Sequence, residues 1–225
     1  MDILYQDNRI LVCIKPAGIR STDEPGGLPD CLRRELGDAH ACLRTVHRLD
    51  QVVGGVMVLA RSREAARRLS AQVRQHALEK DYLAVVHGVP AEAQGEMRDL
   101  LARSRAERKT YVVDQPGRDV REAVLRYRVL ETRGGLTLVG IRLQTGRTHQ
   151  IRAQFSARGL PLVGDGKYGA PEAGEAGIGL WSCRLSFTHP QTGERVTFSA
   201  PPPRSEPWTA FPQLWAASNE REVKQ

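Results

Sequence analysis

A matched pair of segments between residues 122 and 143 restricts the fold of this chain more than any other feature. From Glu122 to Glu131 the sequence EAVLRYRVLE alternates apolar and charged side chains. The apolar members are Ala123, Leu125, Tyr127 and Val129. Leu136 to Leu143 is a second apolar segment, and Gly134-Gly135 separates the two. Because two glycines between such segments favour a tight turn, we predict an antiparallel hairpin with one buried face.

Further strands are predicted where short apolar runs end at turn residues. These runs are Arg9–Ile14, Gly55–Ala60, Asp81–His87, Leu180–Thr188 and Arg195–Ser199. A helix is expected after Ser62, whose hydroxyl can cap it, with Ala65, Leu69 and Val73 on its buried face. Shorter helices are expected at Asp30–Leu36, ending at Gly37, and at His149–Arg158, ending at Gly159.

The order of these elements predicts an α+β fold. Strands outnumber helices and most connections are short, which favours one domain with a central mixed, largely antiparallel sheet flanked by helices and loops. We predict that this domain spans residues 1–217 and that residues 218–225 are a polar tail. Pro207–Trp215 is expected to pack back on the domain. Pro90–Asp119 is predicted to be a turn-rich connection, with a basic cluster at Arg103–Lys109.

The charge balance suggests a polyanionic partner. The chain has 33 Lys and Arg against 26 Asp and Glu, a net charge of +7, and all but five of the cations are arginine. Arginine binds phosphate in bidentate fashion and stacks on bases. A GC-rich genome would also raise the arginine content, so charge alone leaves both explanations open.

Several other classes have no support in the sequence. The four cysteines and six histidines show no metal-binding spacing, and neither glycine-rich nucleotide motif is present. We therefore expect no metal and no cofactor. The N-terminus lacks the pattern of a signal peptide and no apolar run is long enough to cross a membrane, so a cytoplasmic protein without a membrane partner is expected. A monomer is the default expectation.

Asp50 is the candidate nucleophile. It ends the block His47-Arg48-Leu49-Asp50 and comes just before the apolar strand that begins near Gly55. That position restrains the carboxylate, and positioning supplies much of an enzymatic rate. A carboxylate can attack the anomeric carbon of a sugar, and a nearby guanidinium would lower its pKa and keep it ionised. Most aspartates in such places only cap a turn or pair with a surface arginine.

The guanidinium could come from a second block, Thr145–Arg152 (TGRTHQIR). Arg147 and Arg152 are five residues apart, so on a helix they would point in different directions. His149 and Gln150 would add hydrogen-bond donors near a helix N-terminus, suited to phosphate or a uracil edge. Without the first block, an ordinary arginine-rich helix start would explain these residues equally well.

Five segments together resemble the RluA-type family of RNA pseudouridine synthases. They occur in the family's order and cover nearly the whole chain. The segments are Asp7–Gly18 (DNRILVCIKPAG), His47–Ala60 (HRLDQVVGGVMVLA), Lys80–Gly88 (KDYLAVVHG), Leu143–Arg152 and Gly159–Gly169 (GLPLVGDGKYG). The resemblance implies isomerisation of uridine to pseudouridine in structured RNA (rRNA or tRNA), by a cofactor-free mechanism that flips the base.

The resemblance also implies roles for individual residues. Asp50 would be the nucleophile, Tyr82 would pack against the base and assist proton removal, and Arg152 would pair with Asp50. Arg48 would displace the surroundings of the flipped nucleotide, and Ile151 would form an apolar wall. It further implies a catalytic domain with no S4-like RNA-binding domain in front of it, so that RNA selection would rest on surfaces such as Arg103–Lys109.

The chain departs from the family at Val53-Gly54-Gly55, where Thr-Ser-Gly is usual. The two lost hydroxyls leave open an alternative, a non-catalytic RNA-binding or ribosome-assembly factor on the same fold. A generic hydrolase has no supporting motif.

Overall fold

The computed structural model describes residues 1–170 and 177–218, with side chains described to residue 215. In chain order the elements are β1 (Ile3–Gln6), β2 (Ile10–Lys15), α1 (Leu28–Leu36), β3 (Arg44–Thr45), β4 (Gly54–Ala60), α2 (Arg63–Arg74), β5 (Glu79–His87), β6 (Gln94–Ser104), β7 (Lys109–Val113), β8 (Val120–Arg133), β9 (Leu136–Leu143), α3 (Gln150–Ser156), β10 (Leu180–Thr188) and β11 (Arg195–Ser199), followed by two 3-10 helices at Trp208–Ala210 and Pro212–Ser218. The predicted α+β class is confirmed, and the predicted tail at 218–225 lies outside the described residues except for Ser218.

The chain divides into two compact units, and the first comprises residues 1–81 and 181–200. Its central strand is β4, in which all seven residues are buried because both faces are covered. β2 pairs with β4 in antiparallel fashion and β10 pairs with it in parallel, so this part of the sheet is mixed. β1 extends it beside β2, and β11 beside β10. An apolar core around Val58, Leu69 and Phe187 holds the unit together.

Helix α2 forms where the local sequence signals predict it. The Ser62 hydroxyl accepts the Ala65 N–H at 3.1 Å, and Glu64 follows in the first turn, where a negative charge is favoured. Ala65 and Leu69 are buried. The helix therefore packs its apolar face on the sheet of the first unit and exposes its arginines.

The second unit, residues 82–180 and 201–225, contains the predicted hairpin. β8 and β9 pair in antiparallel fashion across Gly134 and Gly135, whose φ angles of 58° and 77° are those that such a turn requires. The strand order is β5-β9-β8-β6-β7. Trp208 and Phe211 are buried in this unit, which confirms that Pro207–Trp215 packs back.

The prediction for Pro90–Asp119 was wrong, because this segment forms the hairpin of β6 and β7. β6 buries Met97 and Leu101, but Asp99 stands between them on the same side of the strand. The Asp99 carboxylate accepts hydrogen bonds from Gln154 Nε2 at 2.6 Å and from Arg158. Because Asp99 interrupts the alternation of apolar residues on the buried face of β6, the sequence does not show the pattern that predicts a strand.

Within the described ranges, no helix has the length and apolar character needed to cross a membrane.

Candidate active site

Asp50 lies in the turn that leads into β4, and the residues on either side of it are fixed by hydrogen bonds. Asp50 is partly buried, and its carbonyl accepts the Val53 N–H at 3.0 Å. Before it, the buried Ser21 hydroxyl donates to the Leu49 carbonyl at 2.8 Å and accepts the Leu49 N–H at 3.1 Å. After it, the Gln51 carbonyl accepts the Gly18 N–H at 2.8 Å. The backbone that carries the Asp50 carboxylate is thus held on both sides.

Lys15 also braces this turn. Its side chain is fully buried, and its ammonium donates to the carbonyls of Pro16, Ile19 and Gln51 at 2.8, 2.6 and 3.2 Å. Burial lowers the pKa of Lys15 to about 8, while the negative charge of Asp50 opposes that shift. Lys15 therefore places a cation close enough to Asp50 for their charges to interact.

His47 and Arg48 occupy opposite environments in the same block. His47 is buried, and its Nε2 accepts the Val58 N–H at 3.1 Å, which places the ring proton on Nδ1. Burial, with a contribution from the Lys80 charge, lowers the pKa of His47 to about 3. His47 is therefore a neutral residue that holds the block against β4. Arg48 is exposed.

Within Val53-Gly54-Gly55, the departure at Gly54 has a steric explanation, and Gly55, the family's usual residue, is fixed as glycine by its surroundings. A Cβ atom on Gly54 would lie 2.5 Å from Cζ3 of Trp181, and one on Gly55 would lie 2.3 Å from the Ser182 carbonyl oxygen. Gly55 also has a φ of 128°. The Trp181 indole, whose Nε1 donates to the Ala200 carbonyl at 3.0 Å, fills the space beside residue 54. The side chain lost at position 54 is thus matched by a large neighbour.

The second block ends in a constrained turn at the start of α3. His149 has a φ of 54°, a left-handed conformation that is costly for a residue other than glycine and clusters at functional sites. The Gln150 side-chain oxygen accepts the Thr145 hydroxyl at 2.8 Å and the Arg147 N–H at 3.0 Å. Among the described residues, Gln150 Nε2 is buried without a hydrogen-bond partner.

The residues of this block differ in exposure. Arg147 precedes the helix and is exposed, with Nε donating to the Glu122 carbonyl at 2.9 Å. The helix begins at Gln150, so Arg152 lies on it and Arg147 lies before it, in line with the predicted helix start at His149. Ile151 is buried, as is Tyr82 on β5.

Arg152 is buried with a carboxylate partner that sequence analysis did not identify. Its Nε donates to Asp165 Oδ2 at 2.7 Å and its Nη2 to Oδ1 at 2.8 Å. The exposed fractions of the two side chains are 6% and 1%. The predicted pairing of Arg152 with Asp50, which lies in the other unit, stays a prediction.

Tyr168 links Arg152 to His149. Its ring centroid is 4.9 Å from the Arg152 guanidinium carbon and 5.0 Å from Lys109 Nζ. Its hydroxyl accepts the Thr110 N–H at 2.7 Å and lies 2.9 Å from His149 Nδ1. Burial raises the pKa of Tyr168, so the ring carries a neutral phenol.

Comparison with known sequences identifies the family. A sequence model described as RNA pseudouridylate synthase matches residues 9–157, which is more than half of the chain and includes both blocks. The chain belongs to the RNA pseudouridylate synthase family. The resemblance drawn from its motifs is thus confirmed.

Relatives of known name agree with this membership in the RNA pseudouridylate synthase family. The chain is 35% identical over 213 residues to an uncharacterized RNA pseudouridine synthase of Bacillus subtilis, covering 90% of this chain and 69% of the relative. It is 34% identical to the ribosomal large subunit pseudouridine synthase D of Pseudomonas aeruginosa, covering 92% of this chain and 70% of the relative. The solved structure of human RNA pseudouridylate synthase domain containing 1 matches with a TM-score of 0.78 and 25% identity, over 96% of this chain and 86% of that chain.

Four residues that support the Asp50 turn or Arg152 through the contacts described above were not predicted from the sequence. Lys15, Asp165 and Tyr168 lie inside the segments that carried the resemblance, yet only their contacts in the structure indicate a role. Ser21 lies in none of those segments, and no sequence signal points to it.

Proposed function

We propose that this chain converts specific uridines in structured RNA to pseudouridine with Asp50 as the reactive carboxylate. The observation that carries the proposal is the fixed turn around Asp50, in which Leu49 and Gln51 are held by buried partners. A restrained carboxylate next to a buried lysine is suited to attack at one defined carbon. This arrangement is more than an RNA-binding surface requires, because binding alone needs no rigidly held carboxylate.

The proposed reaction needs neither redox chemistry nor a cofactor. The target nucleotide leaves its stack and enters the site at a cost of a few kcal/mol. Asp50 then attacks C1′ of the ribose or promotes elimination to a glycal, and in both routes the bond from C1′ to N1 of uracil breaks. The freed uracil rotates and forms a new bond from C5 to C1′. The hydrogen on C5 leaves and N1 gains a proton, so the product is an isomer of the substrate.

Two buried residues are assigned to the base, one arginine to Asp50 and a second arginine to the surrounding RNA. Tyr82 packs against the uracil and assists removal of the C5 proton, while Ile151 forms an apolar wall. Arg152 supplies the positive charge that stabilises ionised Asp50. Arg48 is exposed, in keeping with a role in displacing the RNA around the flipped nucleotide.

Three further residues are assigned to RNA contacts. Arg147 is exposed and suited to phosphate. His149 has a strained left-handed backbone conformation just before α3. Gln150 Nε2 is buried without a hydrogen-bond partner among the described residues, which costs stability. An oxygen of the RNA that accepted from Gln150 Nε2 would remove that cost.

The RNA is proposed to be ribosomal or transfer RNA. Two supporting facts are the name of the Pseudomonas aeruginosa relative, a ribosomal large subunit pseudouridine synthase, and the basic cluster Arg103–Lys109. We further propose that residues 1–217 act as the catalytic domain, as a monomer in the cytoplasm and without metal.

Release of tritium tests the reaction directly. RNA labelled with [5-³H]uridine loses its label only when C5 gives up its hydrogen, so the purified protein should release tritium from ribosomal or transfer RNA. Asp50→Asn should abolish release and leave the Kd for RNA within about threefold. Asp38→Asn, an exposed aspartate in the same unit, is the matched control and should behave as wild type.

Turnover by Asp50→Asn would refute the assignment of Asp50. A wild-type protein that binds RNA tightly and releases no tritium would instead be an RNA-binding factor. Mapping of pseudouridines in cells lacking the gene, restored with wild type or with Asp50→Asn, would then name the modified uridine.

A further inference from the structure

Arg152 and Asp165 form a bidentate ion pair, a geometry that orients the arginine side chain. Two parallel N–H···O bonds of 2.7 and 2.8 Å join one edge of the guanidinium to both carboxylate oxygens. Such a side-on pair fixes the plane of the guanidinium as well as its position. It uses two of the five N–H donors of Arg152, and the others point away from Asp165.

Tyr168 fixes the same guanidinium from a second direction. Its ring lies 4.9 Å from the guanidinium carbon, within the range of a cation–π contact. Tyr168 is itself held by the Thr110 N–H on its hydroxyl and by the Ser156 hydroxyl, which donates to its carbonyl at 2.7 Å. Because the Asp165 carboxylate holds one edge of the Arg152 guanidinium and the Tyr168 ring contacts it as well, Arg152 has lost its rotamer freedom before any substrate binds.

The turn that carries both residues is ordered by its own backbone. The Asp165 N–H donates to the Leu162 carbonyl at 3.1 Å, and the Tyr168 N–H donates to the Asp165 carbonyl at 3.0 Å. Upstream, the Val163 N–H donates to the Val85 carbonyl on β5 at 2.9 Å. The turn is therefore anchored to β5 and, through Ser156, to α3.

We propose that Asp165 and Tyr168 are positioning residues that hold the Arg152 guanidinium in its reactive orientation. This inference rests on the proposed function, because it concerns the arginine assigned to Asp50. Asp165 fixes the edge and Tyr168 the face, and neither touches the RNA. Their loss slows the chemical step, since a small displacement of an oriented group costs a large factor in rate.

Single-turnover tritium release, with enzyme in excess over labelled RNA, measures that step. Asp165→Asn keeps the shape of the side chain and removes its charge. We expect it to slow release about 100-fold and to leave the Kd for RNA within about threefold. The matched control is Asp99→Asn, which removes a carboxylate that pairs with Arg158 in the same unit. This control should change the rate less than about threefold, because Arg158 has no assigned part in the reaction.

A double-mutant cycle separates positioning from a structural role. Arg152→Lys keeps the positive charge but lacks the planar fork that Asp165 grips. In that background Asp165→Asn should cost less than about threefold, because its effect passes through the guanidinium. An equal cost in both backgrounds would overturn the proposal, and so would a near-normal rate for Asp165→Asn. A loss confined to RNA affinity would also overturn it, since Arg152 would then be a phosphate contact.

Tyr168→Leu provides the test if Asp165→Asn melts below the assay temperature. It removes the ring and leaves the ion pair, and it should slow release about tenfold with Arg152 present and much less with Arg152→Lys. A rate within threefold of wild type would refute the proposal. Wild-type protein inactive on every RNA would instead refute the proposed function, and this inference would fall with it.

Discussion

The Ser21 hydroxyl bonds both backbone groups of Leu49, the residue immediately before Asp50. It donates to the Leu49 carbonyl at 2.8 Å and accepts the Leu49 N–H at 3.1 Å, across 28 residues of sequence. Ser21 is 3% exposed, so water cannot replace these bonds. One small side chain therefore satisfies two buried polar groups and fixes the backbone that carries the proposed nucleophile.

Ser21→Ala should reduce both stability and turnover. It leaves a buried N–H and a buried carbonyl without their partner, which should lower the free energy of unfolding by roughly 1–3 kcal/mol. Because the Asp50 turn then loses the hydrogen bonds that hold Leu49, kcat should fall about tenfold while the Kd for RNA changes little. Urea unfolding and single-turnover tritium release measure the two effects.

Ser186→Ala is the matched control for this prediction. Ser186 is also buried in the first unit, and its hydroxyl lies 2.8 Å from the Thr197 hydroxyl. It should cost stability without reducing kcat. Equal losses of kcat in the two variants would mean that Ser21 acts only on overall stability.

The lowered pKa of Lys15 predicts how stability changes with pH. The pKa of Lys15 is about 8 in the folded protein and 10.5 in the unfolded chain. Between pH 8 and pH 10.5 the unfolded chain therefore binds a proton that the folded protein does not. The contribution of Lys15 to the free energy of unfolding therefore rises with pH from about 8 to about 10.5. Over the whole interval the rise is on the order of 3 kcal/mol.

Lys15→Met removes this titration and keeps a side chain of similar length. The free energy of unfolding of wild type minus that of the variant should increase between pH 8 and pH 10. Other groups, including Lys80, titrate in both proteins and cancel in the difference. A constant difference across this range would show that Lys15 titrates at its ordinary pKa.

The contact between Gly54 and Trp181 predicts that the family's usual serine no longer fits this chain. A side chain at position 54 would begin 2.5 Å from the indole, so Gly54→Ser should destabilise the protein by about 1–3 kcal/mol through overpacking. In a Trp181→Leu background the same substitution should cost less than half as much, because the ring is gone. Thermal unfolding of the four proteins of this cycle measures the coupling. An unchanged penalty would place the strain elsewhere, for example at the Lys15 carbonyl 3.2 Å away.

Local patterns made much of the fold predictable. The β8–β9 hairpin and α2 follow from alternation, paired glycines and a serine cap, each of which is a property of neighbouring residues. The β6–β7 hairpin could not be predicted in this way. The side chains of Asp99 and Thr110 point inward in it because Gln154 Nε2 and the Thr148 carbonyl, both from distant parts of the chain, are their hydrogen-bond partners.

The residues of the candidate site also fall into those that the sequence predicts and those that it does not. Asp50 and Arg152 stand in recognisable blocks, so their residue types and order were enough to select them. Ser21 and Asp165 act through partners 28 and 13 residues away, and no spacing rule encodes such contacts. The residues that position a site are determined by tertiary packing, whereas its reactive residues lie in sequence motifs.

The exposed tip of the β6–β7 hairpin provides a test of RNA contact. Arg105 and Arg108 are exposed there, and each phosphate contact contributes about one unit to the slope of log K against log salt. Replacing both with glutamine should therefore weaken RNA binding and reduce that slope by about 1.5 to 2. Filter binding between 50 and 300 mM salt, roughly the range in which counterion release is measured, gives the slope.

The control for the hairpin variant must remove the same charge from another surface. Arg67 and Arg68 on α2 are also exposed, but both bond to Glu64, so their charge is already partly compensated. Their replacement with glutamine changes the net charge by the same amount and should leave the salt slope nearly unchanged. Equal effects of the two variants would show that RNA responds to the overall charge of the protein. A loss confined to the hairpin variant, with the single-turnover rate at saturating RNA preserved, would assign the tip to binding and leave the chemistry to the residues around Asp50.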